Sequence, residues 1–357
     1  MNNGISIYPG LDNLLEENLK LIELAATCGI KRIFTSFNIP ETNKENFKRE
    51  LDIILNIAKN NDMEIISDVS PKTRELLDID INDLKSIRKL GISTIRLDDG
   101  FNAEEIAALS RNTENIGLQL NASAITQNFL KDLEKHNANF NAIEALHNFY
   151  PRKNTGLSEE FFANKNNLLK TYDIKVGAFI SSEGKKRGPI FEGICTLEAH
   201  RGINSSLAMR HLAALGVDFV FISESLPFKD EIEELAKLKN NEVNLKINIF
   251  IKNNAVKNLL SNKFTARPDE SRDVIRAKEG RLLTKSNIPP ENATDRPFGS
   301  VTLDNALYKR YMGELQITKR DLPKDERVSV VGKIAKDELF MLKYIAPEKI
   351  FSFEIKD

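Results

Sequence analysis

The chain has 357 residues with 51 basic and 52 acidic side chains, so its formal net charge is −1. This length suggests two domains, and the balanced charge argues against a nucleic-acid binder or a polybasic membrane anchor. Two distant cysteines, Cys28 and Cys195, and four histidines argue against a disulfide framework or a zinc site. With no signal pattern and no apolar run of about 18 residues, we expect a soluble, cytoplasmic protein.

Short β-branched or aromatic runs alternate with amphipathic segments along residues 1–240. The predicted strands are 5–8, 32–37, 64–70, 94–99, 116–123, 141–148, 174–182 and 218–223. The predicted helices are 14–28, 44–60, 81–90, 103–110, 127–135, 159–169, 205–215 and 230–238. Eight such alternations predict an α/β fold, a closed (β/α)8 TIM barrel. A doubly wound sheet is the alternative, but Tyr8-Pro9-Gly10 is not the glycine fingerprint of that fold.

Alternation along each strand predicts an unusually polar barrel interior. The polar residues predicted to face inward are Ser6, Tyr8, Asp68, Ser70, Arg96, Asp98, Gln119, Asn121, Ser123, Glu144, Asn148, Ser181, Glu183 and Glu224. Deep in the barrel, we expect Arg96 and Glu144 to neutralise each other. The carboxylates predicted at the C-terminal rim, where such barrels keep their active sites, are Asp68, Asp98, Glu183 and Glu224. Each could instead cap the following helix.

Two long loops follow strands six and seven, at residues 147–158 and 185–202. They carry Arg152, Arg187 and Arg201, whose planar forks match phosphate or carboxylate, among glycines that let a ligand approach the backbone. Phe149 or Tyr150 could support an apolar sugar face. An exposed basic loop is the simpler interpretation, but the position at the barrel rim favours a phosphate site.

Beyond residue 240 the pattern becomes mostly β. The predicted strands are 245–251, 300–303, 315–318, 328–331 and 351–355. This indicates a second domain over 241–357, a small closed barrel or a sandwich. Its charged clusters at 267–272 and 295–299 could face the first domain's rim or form ion pairs between domains.

Several strings in the sequence resemble the bacterial 6-phospho-N-acetylmuramidases, a MupG-like glycoside hydrolase group once labelled outer surface proteins. In the first domain these strings lie at 147–152, 155–158, 187–189, 192–193 and 196–201. In the second domain they are Asp304-Asn305, Tyr308, Arg310-Tyr311 and residues 313–317. The resemblance covers nearly the whole chain.

This resemblance implies a TIM barrel followed by a cyclophilin-like β domain. It also implies an exo-acting cytoplasmic enzyme that splits the β-1,4 bond of 6-phospho-N-acetylmuramyl-N-acetylglucosamine in cell-wall recycling. The likeness to cyclophilin concerns fold and is no warrant for prolyl isomerase activity.

Glycoside hydrolysis needs a proton donor and a second group, usually a carboxylate. We expect Asp98, at the end of strand four, to be the acid and Glu183, after strand seven, to be its partner. The reserve candidates are Asp68, Asp99 and Glu224. Alternatively the substrate's acetamido carbonyl is the nucleophile, with Asp98 and Asp99 orienting the amide and donating the proton.

The substrate-binding candidates are Tyr8, Asn121, His147, Asn148, Tyr150, Arg152, Arg187, Glu198, Arg201 and Arg296. Of these, Arg152, Arg187 and Arg201 should supply most phosphate contacts. We expect a small phosphorylated disaccharide as partner, no cofactor, no metal, no nucleic acid and no membrane. Two alternatives remain: a lyase, aldolase or epimerase with a metal on Asp68, Asp98 and Glu224, or a non-catalytic sugar-phosphate or partner-binding protein.

Overall fold

The structure is a computed structural model that describes residues 1–37, 39, 44–69, 83–97, 100–251 and 253–356. The candidate residues Ser70, Asp98 and Asp99 lie outside the described residues. The chain divides into two units, Met1–Leu212 with Val217–Asn240, and Ala213–Gly216 with Asn241–Asp357.

Eight parallel strands of the first unit close into a barrel in sequential order. They are β1 Gly4–Ser6, β2 Arg32–Ser36, β3 Glu64–Val69, β4 Ile92–Leu97, β5 Gly117–Asn121, β6 Ile143–Leu146, β7 Lys175–Ile180 and β8 Phe219–Ile222. The predicted TIM barrel is confirmed, and the open-sheet alternative is excluded because β1 pairs with β8.

Helices follow the barrel strands as the amphipathic segments predict. Those described are α1 Leu15–Thr27, α2 Lys44–Asn60, α3 Leu84–Leu90, α4 Ala103–Ser110, α5 Gln127–Lys135, α6 Glu159–Lys170, α7 Ser205–Ala214 and α8 Lys229–Lys237. α6 begins after Ser158, whose hydroxyl accepts from Phe161 N at 3.2 Å and so caps the helix. In the described parts of the chain, no helix is both long enough and apolar enough to cross a bilayer.

The barrel interior contains an aromatic core that the prediction of a polar interior did not foresee. Rings from β2, β7 and β8 meet edge to face, with the centroids of Phe34 and Phe179 5.2 Å apart. The buried members of this cluster are Tyr8, Phe34, Ile66, Leu146, Phe179, Phe219 and Phe221. Four of the residues predicted to face inward, Asp68, Arg96, Gln119 and Glu144, lie on β3 to β6.

On those strands the expected Arg96–Glu144 pair is wrong. Parallel pairing aligns Asp68, Arg96, Gln119 and Glu144 in one row, so Glu144 lies two strands away from Arg96. Arg96 Nη1 instead donates to Asp68 Oδ1 on the adjacent strand at 2.8 Å. Glu144 accepts from Gln119 Nε2 at 2.6 Å and from the guanidinium of Arg32, at the start of β2.

The second unit is a seven-stranded mixed sheet in the order β10-β15-β9-β14-β12-β13-β11. Its strands are β9 Glu242–Ile249, β10 Lys263–Thr265, β11 Val274–Arg276, β12 Ser300–Asp304, β13 Leu315–Thr318, β14 Val328–Ile334 and β15 Ile350–Lys356. β9 and β15 pair in parallel and the other neighbours are antiparallel. The sequence did not predict the short strands β10 and β11, nor the helices α9 Asn254–Leu260 and α10 Gly280–Leu283.

Candidate active site

Arg187 lies at the C-terminal end of the barrel with its guanidinium between two aromatic rings. Its Cζ atom is 4.7 Å from the ring centroid of Tyr8 and 4.7 Å from that of Phe149. The residue is only 7% exposed, and its Nε and Nη1 atoms have no hydrogen-bond acceptor in the described parts of the chain. A buried cation with unused donors is a binding group for an anion.

Contacts with β7 and with the segment after β8 hold the two rings that flank Arg187. The Tyr8 hydroxyl donates to the Ser223 carbonyl at 2.9 Å. Burial raises the pKa of Tyr8, an effect that the charge of Arg187 opposes. Phe149 packs edge to face on Phe179 with centroids 5.0 Å apart. The aromatic core of the barrel therefore sets the position of the cation.

Glu224, a reserve catalytic candidate, anchors the loop that carries Arg187. It is fully buried. Its Oε2 accepts from the Arg187 backbone N–H at 2.8 Å, and its Oε1 accepts from Ile194 N at 2.6 Å and Ser181 Oγ at 2.7 Å. Both oxygens are thus engaged by protein donors, which makes Glu224 a positioning group in this structure.

Sequence reasoning missed Asp12, which holds the same loop from the β1–α1 connection. Its Oδ2 accepts from Gly188 N at 2.8 Å and from Ser225 Oγ at 2.8 Å. The alternation of strand residues could not identify it because it lies after the strand, where the backbone no longer alternates.

Asp68, Arg96 and Asn148 form a chain of hydrogen bonds across the ends of β3, β4 and β6. Arg96 donates to Asp68 Oδ1 at 2.8 Å through Nη1 and to Asn148 Oδ1 through Nη2. Asp68 and Arg96 are 7% and 2% exposed. The reserve candidate Asp68 is therefore an ion-paired carboxylate in this structure.

His147 is fully buried on the outer side of β6, away from the barrel interior. Its Nδ1 is 3.1 Å from Ser123 Oγ, and its Nε2 is 2.9 Å from Asn166 Oδ1. Burial lowers the pKa of His147 to about 4, so the ring is neutral near pH 7. Although predicted to bind substrate, His147 is enclosed by protein groups here.

Glu198 and Arg201 join the two long loops. Arg201 Nε and Nη2 donate to the Glu198 carboxylate at 2.7 and 2.9 Å, and other donors reach Gly193 O and Tyr150 O at 2.7 and 2.8 Å. Hydrogen bonds from the Arg201 guanidinium lower the pKa of the Glu198 carboxyl to about 2, and bonds from the backbone N–H groups of Asn154 and Gly156 contribute. Arg201 was predicted to bind phosphate, but its guanidinium N–H groups donate to Glu198 and to backbone carbonyls instead.

Glu183 lies beyond β7, and its carboxylate is exposed. Its Oε1 accepts from Asn204 Nδ2 at 3.0 Å, and its backbone N–H donates to Glu231 Oε1 at 2.8 Å. Glu231, a second residue that the sequence did not single out, also accepts from Ser182 Oγ at 2.5 Å. These contacts are with the segments that precede α7 and with α8, and none is with the group around Arg187.

The other predicted site residues lie in several places. Tyr150 and Asn121 are half-buried at the ends of their loop and strand, and Arg152 is exposed on the β6–α6 loop. Arg296 belongs to the second unit, where its guanidinium donates to Pro323 O at 2.9 and 2.8 Å.

A metal site was weighed as an alternative on Asp68, Asp98 and Glu224. Among the described residues no three His, Cys, Asp or Glu side chains are grouped so that they could hold a metal ion. Asp98 and Asp99 are outside those residues, so the predicted acid pair stays a prediction.

The barrel mouth thus combines aromatic walls, a buried cation at Arg187 and a neutral amide at Asn148. Aromatic walls suit the apolar faces of a sugar ring, the cation suits an anionic substituent, and the amide suits an uncharged polar group. This combination can bind a sugar that carries an acidic group.

Two family models match the chain. A family model described as 6-phospho-N-acetylmuramidase, N-terminal, matches residues 3–237, and one described as 6-phospho-N-acetylmuramidase, C-terminal, matches residues 243–354. Comparison with curated proteins gives no match.

Two solved structures are similar to this chain at 32% identity. An uncharacterized B. cereus protein has a TM-score of 0.86, with 99% of each chain covered. A conserved Enterococcus faecalis protein with an unknown function has a TM-score of 0.72, with 100% of this chain and 97% of that chain covered. With both family models matched across residues 3–354, the chain belongs to the 6-phospho-N-acetylmuramidase family.

Proposed function

We propose that this chain is a cytoplasmic glycosidase that hydrolyses the β-1,4 bond of 6-phospho-N-acetylmuramyl-N-acetylglucosamine. The products are N-acetylmuramic acid 6-phosphate and N-acetylglucosamine, a reaction that serves cell-wall recycling. Family membership supports the reaction class. The single observation that carries the substrate assignment is the buried guanidinium of Arg187.

The argument from Arg187 is energetic. An unsatisfied buried donor costs about 1–3 kcal/mol, and more when the group is charged. Arg187 has two such donors, Nε and Nη1, among the described residues. An anionic oxygen bound there relieves this cost, whereas a neutral sugar hydroxyl does so only in part. The substrate's 6-phosphate is our proposed occupant, with exposed Arg152 as a second contact.

Cleavage of phosphorylated and plain muramyl-glucosamine disaccharides tests this assignment. We expect the wild type to prefer the phosphorylated substrate, and R187M to lower kcat/KM for it by about 100-fold, since a charged hydrogen-bonded contact is lost at a buried site. The plain disaccharide should change by less than about fivefold. The control is R88M on α3, where Arg88 is exposed.

Two outcomes of that assay would count against the proposal in different ways. Equal cleavage of both disaccharides by the wild type would remove the phosphate assignment. Cleavage of neither would remove the glycosidase function itself.

For the bond-breaking step we propose Asp98 as the general acid and Glu183 as its partner, with Asp99 as the reserve. This assignment rests on their order along the barrel strands. Loss of a general acid costs about 10²–10⁴-fold in kcat. D98N and E183Q should therefore each lower kcat by at least about 100-fold on the phosphorylated disaccharide. A loss for D98N with normal turnover for E183Q would favour the acetamido carbonyl as the nucleophile.

A further inference from the structure

The Asn148 side chain stands at the C-terminal end of β6, at the barrel mouth, and its residue is held at three atoms. Its backbone N–H donates to Ser123 Oγ at 3.1 Å, and its carbonyl accepts from Thr196 Oγ1 at 2.9 Å. Its side-chain Oδ1 accepts from Arg96 Nη2. The residue is therefore fixed through neighbouring strands and the β7–α7 loop.

The contact with Arg96 decides which way the amide points. An arginine side chain has donors and no acceptor, so it must face the oxygen of the amide rather than its nitrogen. Asn148 Oδ1 is directed to Arg96, and Nδ2 is directed away from it. Nδ2 has no acceptor in the described parts of the chain, and the side chain is half-buried rather than enclosed.

The surroundings make this donor a site for a neutral group. The charge of Arg96 is met by Asp68, with 2.8 Å between Nη1 and Oδ1. An anion would gain little here, because the nearest cation already has a carboxylate partner. The adjacent residue, Phe149, carries the Arg187 guanidinium on its ring. The amide donor of Asn148, on the β6–α6 loop, thus stands one residue away from the ring that carries the cation of Arg187, on the β7–α7 loop.

The fixed amide also selects among neutral groups. A free asparagine amide can donate to and accept from a sugar hydroxyl, but the oxygen of Asn148 is already used by Arg96. Nδ2 is the side-chain atom that has no partner among the described residues, so a group that only accepts, such as an amide carbonyl, matches it best. On the proposed substrate, such acceptors come from the acetamido groups.

We propose that Asn148 Nδ2 donates to the carbonyl oxygen of the 2-acetamido group of the muramyl residue, and that Arg96 is the positioning residue that orients it. This inference rests on the proposed function, because it takes N-acetylmuramic acid 6-phosphate as a product. It makes Asn148 the residue that distinguishes an acetamido sugar from one without that group.

Calorimetric binding of two ligands tests it: N-acetylmuramic acid 6-phosphate and its 2-deoxy analogue, which lacks the acetamido group. We expect the wild type to bind the acetamido ligand about 10-fold more tightly, as one hydrogen bond of about 1.4 kcal/mol predicts. N148D keeps an oxygen for Arg96 and replaces the donor by an acceptor. It should abolish this preference, so that its Kd values for the two ligands agree within about threefold.

Two further variants accompany N148D. N148A removes the donor without adding charge and should also abolish the preference. N258D adds the same charge at exposed Asn258 on α9 and should leave both Kd values unchanged. Circular dichroism and the Tm establish that each variant is folded.

The outcomes separate this inference from the proposed function. If the wild type binds neither ligand, the proposed function is wrong. If it binds both equally, or if folded N148D or N148A retains the preference, the role of Asn148 is wrong and the proposed function stands.

Discussion

At the scale of single residues, His147 is a neutral buried ring that supports the barrel mouth from behind. Its Nδ1 and Nε2 are bonded to Ser123 and Asn166, and Ser123 Oγ also accepts from Asn148 N at 3.1 Å. A buried imidazole with both nitrogens in use loses stability when it must take a second proton. This histidine therefore links the order of the candidate site to pH.

We predict that His147 makes the protein less stable as pH falls from about 6.5 towards 4. Its pKa is lowered to about 4 in the folded protein, so the unfolded chain takes the proton first. The free energy of unfolding is unaffected by this titration above pH 6.5. Below that pH it falls by about 1.4 kcal/mol per pH unit, and the total loss is about 3 kcal/mol near pH 4.

Urea unfolding of the wild type and H147Q at pH 7, 5.5 and 4.5 measures this effect. The difference in unfolding free energy between them should shrink by about 2–3 kcal/mol over that range. The acid sensitivity of the carboxylates and of buried His200 is common to both proteins and cancels. Parallel pH curves would rule out this role of His147.

At the scale of elements, the loops after β6 and β7 behave as one unit. Isolated β-bridges join Tyr150 to Cys195 and Leu157 to Leu197. The Glu198–Arg201 pair follows directly on the β7–α7 loop. Glu198 also accepts from backbone N–H groups of the β6–α6 loop. The two loops are thereby held together at the barrel rim, where Arg187 lies.

We predict that E198Q opens this loop pair. The substitution keeps the shape of the side chain but removes the charge that pairs with Arg201, a loss of about 1.5–3 kcal/mol for a charged contact. Trypsin should then cleave after Arg152 or Lys153 at least about 10-fold faster than in the wild type, since cleavage follows the population of the open loop.

The matched control is E192Q. Glu192 pairs with Lys153 at 3.0 Å in the same loops, but both side chains are largely exposed. An exposed pair contributes little, so cleavage should stay within about twofold of the wild type. Equal rates for E198Q and E192Q would contradict a specific role of the half-buried Glu198–Arg201 pair.

At the scale of the whole molecule, the barrel unit separates its polar groups into two ends. At the N-terminal end, Arg32 pairs with Glu144 and lies 4.8 Å from the Phe219 ring centroid. At the C-terminal end, Arg187 lies on Tyr8 and Phe149. The phenylalanine core lies between these two cations. Removing the charge of Arg32 should therefore lower the stability of the barrel, whereas removing the charge of Arg187 should weaken ligand binding.

Several features could be predicted from the sequence because they depend on local periodicity. Alternating strand and helix patterns are enough to predict the eight-unit barrel, and the position of a loop after a strand predicts that Arg187 belongs to the rim. The Ser158 cap follows from residue type and place alone. The aromatic core was missed because phenylalanine at a strand position does not reveal which face it occupies.

The barrel, the β-rich second unit and the two loops that carry the candidate site were predictable from the amino-acid sequence, since the periodicity that indicates each of them lies within short segments. The pairing of charges became evident from the folded chain alone: Arg96 pairs with Asp68, Glu144 with Arg32, and Arg201 with Glu198 rather than with a ligand. These pairings depend on strand register and on loops meeting across the barrel rim, and residues far apart in sequence carry no local signal of either. The same long-range packing left Arg187 and Asn148 with donors that the described protein groups do not use.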